Sequence, residues 1–161
     1  MNILGVIPAR GGSKEIPNKN LLKINGKSLI RIAIENAKKS KNINRLIFSS
    51  DSPKLIREAK KCGVEVPFIR PKQYSTDTAS SFSVLRHAVN FLKKKENWEA
   101  DLIVLLQPTT PFRKTKHIDN VINLLIKNKK TDAVLTIRRP DYPPHWMIEK
   151  KGIYLKSLIK N

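Results

Sequence analysis

Residues 3–22, ILGVIPARGGSKEIPNKNLL, decide how the chain is read. The apolar run Ile3, Leu4, Val6 and Ile7 predicts a short buried strand, which breaks at Pro8. The loop that follows places Arg10, Lys14 and Lys19 around the adjacent pair Gly11 and Gly12, with Ser13 after them. A strand opening into glycines and cations is a phosphate seat in outline. Glycine lacks a Cβ, so backbone N–H groups can approach an anion, and the cations neutralise its oxygens. Neither G-x-x-x-x-G-K-[ST] nor G-x-G-x-x-G is present. The next helix is expected only near Ser28, so loop side chains rather than a helix dipole must supply the attraction.

Outward from this segment the pattern alternates. Strands are predicted at 3–7, 45–50, 64–69, 102–106 and 133–137. Helices are predicted at 28–40, 53–62, 80–95 and 115–128. Ser28 is a candidate N-cap, Pro53 suits a first helical turn, and Gly63 suits a helix stop. Asn25-Gly26 and Lys151-Gly152 read as tight turns, the second inside a hairpin. In the third helix Phe82, Leu85, Val89 and Leu92 form the expected buried stripe, with His87 off it in solvent. The apolar run 102–106 reads as a central strand covered on both faces. The fold class is therefore α/β, a mostly parallel Rossmann-like sheet with helices on both faces. Ligands of such sheets sit beyond the carboxyl ends of the strands, where the glycine loop, Asp51, Arg70 and Gln107 all fall.

Composition narrows the classes. The chain has 161 residues, 40% of them apolar, enough for one domain with a core. No apolar run approaches a membrane span and no leader is read at the start. One cysteine, Cys62, fits a reducing cytoplasm, and three scattered histidines offer no zinc spacing. The formal charge of +19 raises a nucleic-acid-binding module as a reading from another class. Against it, the lysines collect toward predicted helix ends, where they complement the dipole, and aromatics are not interleaved with them.

The segment IPARGGSKEIPNKNL resembles the N-terminal signature of the acylneuraminate cytidylyltransferases, the CMP-sialic acid synthetase family. FSSD (48–51), VEVPFIRP (64–71), TDTASS (76–81), LLQPTTPFR (105–113), TDAVLTI (131–137) and PPHW (143–146) agree with that family in order. The resemblance implies a fold of the nucleotide-diphospho-sugar transferase type. It implies a cytidylyltransferase that joins CTP to a nonulosonic, sialic-type acid, giving a CMP-sugar and pyrophosphate. It assigns Arg10, Gly11, Gly12, Ser13, Lys14, Lys19, Asn20, Arg70 and Ser81 to the nucleotide, with Arg10 and Lys19 as the catalytic cations. Gln107 goes to the sugar, where the residues' own reading is a polar group ending a buried strand. Asn20 could equally be a turn residue, Ser80 or Ser81 the cap of the next helix, and Asp51 the cap of the helix at Pro53. Thr109, Thr110 and Arg113 are expected to shape their loop, and His145 and Trp146 receive no chemistry.

The resemblance also implies Mg²⁺ as cofactor and a homodimer. The family runs on past residue 161 into the aspartates that hold the metal and a dimerisation segment. The expectation is thus a single nucleotidyltransferase domain, 1–161, lacking the family's C-terminal part, without its own metal ligands, and with little turnover alone. A nucleotidyltransferase for another sugar or nucleotide is the alternative within the enzyme class.

Overall fold

The computed structural model describes residues 1–12, 16–139, 141–143, 146–157 and 159. Strand β1 (Ile3–Pro8) is the centre of a parallel sheet, with β4 (Arg45–Ser49) on one side and β5 (Leu102–Leu105) on the other. Alternation along β1 explains both layers. Ile3 and Ile7 point to one face, where they meet Ile30, Ile34 and Ala37 of helix α1 (Leu29–Lys38), Leu55 and Ala59 of α2 (Pro53–Lys61), and Ile118 and Ile122 of α4 (Thr115–Lys127). Leu4 and Val6 point to the other, against Ala88 and Leu92 of α3 (Ser81–Glu96). Between them Gly5 has no room for a side chain, since a Cβ would stand 2.7 Å from Leu46.

Local signals act as expected at several joints. The strands β2 (Lys23–Ile24) and β3 (Lys27–Ser28) close through Asn25 and Gly26, both at positive φ, as a two-residue hairpin turn demands. Ser28 Oγ accepts from Arg31 N and caps α1. Gly63 ends α2 at φ 67°, and Lys38 Nζ donates to the Cys62 and Gly63 carbonyls there. The hairpin β6 (Ile148–Lys151) and β7 (Tyr154–Ser157) turns at Gly152.

Three expectations fail. The 64–69 segment runs beside β4, but its backbone pairing is confined to the Ile47–Glu65 bridge, with Phe48 N donating to Glu65 O, while the Arg45 guanidinium pairs with the Glu65 side chain and Arg70 N, just beyond, donates to Ser50 O. Pro67 lacks the N–H that a continuous ladder needs. The 133–137 segment forms no strand, and its Leu135 and Ile137 are 82% and 92% exposed. Consequently β5 is not central: among the described residues it is an edge, with Ile103 exposed beside a groove of about 560 Å³ that 132–136 flanks. An apolar run marks contact with apolar neighbours but not on which side they stand.

The stripe of α3 is also rotated from the one expected. Val84, Ala88 and Leu92 are buried, Leu85 and Val89 are partly so, and Phe82 is 69% exposed. The rotation carries His87 inward. Its ring lies 4.6 Å from that of Phe68, edge-on, and 4.9 Å from that of Tyr74. Its Nδ1 is buried without a hydrogen-bond partner among the described residues. Burial first, and the nearby Arg70 second, hold its pKa below the ordinary histidine value.

Candidate functional site

The carboxyl ends of β1 and β5 open onto a pocket of about 280 Å³. Its walls come from two loops. The loop after β1 brings Arg10, Lys19 and Asn20, and the 70–81 stretch brings Arg70, Tyr74, Asp77 and Ser81. Gln107 and Thr109 close it from beyond β5. Six residues assigned from sequence are thereby gathered on one cavity: Arg10, Lys19, Asn20, Arg70, Ser81 and Gln107. Gly11 and Gly12 lie on the same loop but do not line it, and Ser13 and Lys14 fall outside the described residues, as does His145.

The first loop is held by backbone as much as by charge. Gly11 N donates to Asp51 Oδ1 at 3.1 Å. A Cβ on Gly11 would stand 2.9 Å from that of Ser52, so only glycine lets the loop lie against the start of α2. Among the described residues, a Cβ on Gly12 would meet nothing within 4 Å. Lys19–Leu21 form a single 3-10 turn, entered from Asn18 in the left-handed region. It buries Asn20, whose Nδ2 donates to Arg10 O at 3.4 Å. Asn20 is therefore a brace between two parts of its own loop, beside the pocket it lines.

Asp51 is not the helix cap expected of it. Ser52 occupies that position, and Asp51 instead receives Gly11 N–H while its Oδ1 lies 3.7 Å from the Arg70 guanidinium. Arg70 is 4% exposed, and its Nε donates to Ser75 Oγ at 3.1 Å. Burial lowers the Arg70 pKa, and the Asp51 carboxylate offsets part of that lowering. One carboxylate thus links the first loop to the 70–81 stretch. A second linkage is the ion pair of Arg10 with Asp77.

The serine alternatives separate. Ser80 Oγ accepts from Ser83 N as the cap of α3, leaving Ser81 on the pocket wall. Gln107 departs from the sequence argument. Its side chain is exposed, between the pocket and the apolar groove beside β5, so no burial penalty compels a partner. Its carbonyl, in contrast, is fixed by Arg113, whose Nη2 donates to it at 2.6 Å, and this gives Arg113 the loop-shaping part expected of it. Burial lowers the Arg113 pKa as well.

Tyr74, Thr76 and Asp77 were not singled out from sequence, although TDTASS contains two of them. The available signal was an acid opposite a loop of cations, and only the fold shows that they meet.

A parallel α/β sheet with a cationic, loop-walled pocket at its carboxyl ends is a Rossmann-like architecture, in which ligands sit beyond the strand ends. The chain belongs to the cytidylyltransferase family, which it matches over residues 4–150. It is 38% identical over 157 residues to the pseudaminic acid cytidylyltransferase of Campylobacter jejuni, covering 96% of this chain and 67% of that one. It is 35% identical over 141 residues to the N-acylneuraminate cytidylyltransferase of Escherichia coli O18:K1:H7, covering 88% of this chain and 32% of the relative. The fold is that of a solved CMP:2-keto-3-deoxy-manno-octonic acid synthetase complexed with CTP, at a TM-score of 0.66 and 24% identity, over 80% of this chain and 49% of that one.

Proposed function

We propose that the pocket seats the triphosphate of CTP and that the chain serves the transfer of CMP to a nonulosonic acid, with release of pyrophosphate. The observation that carries the reading is the convergence of Arg10, Lys19 and Arg70 on one cavity at the strand ends, in a chain whose relatives are named for joining CMP to such sugars. The sugar's anomeric oxygen attacks the α-phosphorus, the bond from that phosphorus to the bridging oxygen breaks, and the hydroxyl proton passes to water. No covalent enzyme intermediate is required. The work left to the protein is positioning and stabilising phosphate charge. Arg10 and Lys19 take the leaving phosphates, Arg70 and Asn20 hold the loop faces together, and Ser81 offers a hydroxyl to the nucleotide. Gln107, at the mouth, is free to donate to the sugar's carboxylate.

Mg²⁺ enters this reading as a companion of the triphosphate, whose charge it screens. Among the described residues no group of three or more histidine, cysteine, aspartate or glutamate side chains is placed to hold a metal ion. Asp51 and Asp77 are each engaged with an arginine. These residues do not fit a metal cage, and no step is routed through the ion. Among the described residues no helix is long and apolar enough to cross a membrane. A cytoplasmic enzyme supplying activated sugar for a cell-surface glycan, working as a homodimer, is the setting that the family reading favours.

Two assays test the reading. Titration calorimetry with CTP, ATP, GTP and UTP is expected to show binding of CTP ahead of the other three. Mass spectrometry after incubation of a chain extended through the family's C-terminal part with CTP, Mg²⁺ and a panel of nonulosonic and octulosonic acids is expected to show a CMP-sugar with a nine-carbon acid. Preference for another nucleotide would overturn the cytidylyl part, and product only with the eight-carbon acid would overturn the sugar class.

A further inference from the structure

The pocket contains one charge of the wrong sign. Its described lining carries three cations, Arg10, Lys19 and Arg70, and a single carboxylate, Asp77. Arg70 already has Asp51. Asp77 faces the cavity and pairs with Arg10, a residue 67 positions away on the opposite loop. A site selected only for attracting phosphate would exclude such a group, because a carboxylate a few ångströms from the ligand repels it.

Two features show what the carboxylate can do. The partners' side chains are 35% and 39% exposed, so the pair is wet and weak, as solvent-exposed ion pairs are. A phosphate chain carries several charges and accepts bidentate bonds from a guanidinium, which makes it the stronger partner. Arg10 can therefore exchange one anion for the other. While the site is empty, the same pair ties the loop after β1 to the 70–81 stretch and keeps the guanidinium from swinging into solvent.

We propose that Asp77 is a displaceable counter-ion for Arg10, a positioning residue that holds the guanidinium until a nucleotide triphosphate takes it over. This rests on the nucleotide reading of the pocket. The exchange has a signature that a purely structural tie would lack: removing the negative charge tightens binding of the anionic ligand. Asp77→Asn keeps the size and a hydrogen-bonding oxygen while deleting the charge.

The test is calorimetric titration of CTP in Mg²⁺ buffer into the wild type, Asp77→Asn, Arg10→Ala and the double variant, with thermal melts to confirm folding. Asp77→Asn is expected to bind CTP roughly two- to fivefold more tightly, the size of a relieved half-exposed charge contact. In the Arg10→Ala background the same change is expected to move affinity less than twofold, because there is no guanidinium left to release. Wild-type binding with Asp77→Asn unchanged or weaker would overturn the counter-ion and make Asp77 a direct ligand contact or a tie. A gain that persists undiminished without Arg10 would also overturn it, leaving only general repulsion. A folded wild type that does not bind CTP at all would remove the nucleotide reading itself, and this inference with it.

Discussion

The stretch from β1 to α4 and the stretch from 131 to 159 are similarly rich in large apolar residues, yet they are treated in opposite ways. In the first, Ile7, Ile30, Ile34 and Phe48 are fully buried between sheet and helices. In the second, Leu135, Ile137 and Ile153 are more than 80% exposed, and the β6–β7 hairpin buries none of its residues. The core that positions the pocket closes within the first stretch, and every described residue lining the pocket precedes Pro111. Stability and nucleotide contact should therefore respond to the first stretch alone, while the second stretch presents apolar surface without a role in either.

The largest effect is expected from the core. Ile34→Ala should cost about 2–5 kcal/mol in chemical denaturation, as large-to-small changes at packed sites do, whereas Ile153→Ala should stay within about 0.5 kcal/mol. Equal losses at the two sites would break the comparison. Next comes the contact of loop and helix. Gly11→Ala should cost about 1–3 kcal/mol as its Cβ is driven against Ser52, and Gly12→Ala should cost far less in the same denaturation series. That pair sharpens the point that one glycine is needed for packing and the other is not.

Gln107 lines both the pocket and the groove that 132–136 flanks. In a chain extended through the family's C-terminal part, Gln107→Ala is expected to raise KM for the sugar by more than it raises KM for CTP in steady-state pyrophosphate release. Equal shifts would make it part of the nucleotide wall. The smallest expected effect is a pH slope. His87 is held below its ordinary pKa by burial and Arg70, so as pH falls the unfolded chain takes up its proton first. The stability this histidine contributes is complete above about pH 6.5 and is lost as pH falls through the folded-state value. His87→Phe should flatten that part of a denaturation-against-pH curve, and an unchanged slope would mean the ring is not buried in solution.

Much of this was legible in the chain. Ser28, Pro53, Gly63 and Asn25-Gly26 each imposed the local geometry they imply, because caps and tight turns are decided by a few neighbouring atoms. The glycine loop and its cations were read from order alone, and six of the assigned residues meet in one pocket. What was not legible depends on partners distant in sequence. Nothing in DSP at 51–53 says that Asp51 bonds Gly11 and Arg70 instead of capping α2. The stripe of α3 is set by the face it turns to the sheet, which leaves Phe82 exposed and brings His87 onto Phe68 and Tyr74. The Arg10–Asp77 pair joins loops that only the parallel crossover brings face to face.

The central claim is that the loop after β1 seats the triphosphate, and Lys19 is its most direct probe. Calorimetric titration of CTP into the wild type and into Lys19→Ala should show a loss of about 1.5–3 kcal/mol, the size of a charge-assisted hydrogen bond, with the melting curve unchanged. Identical CTP affinity in a folded Lys19→Ala variant would contradict the account.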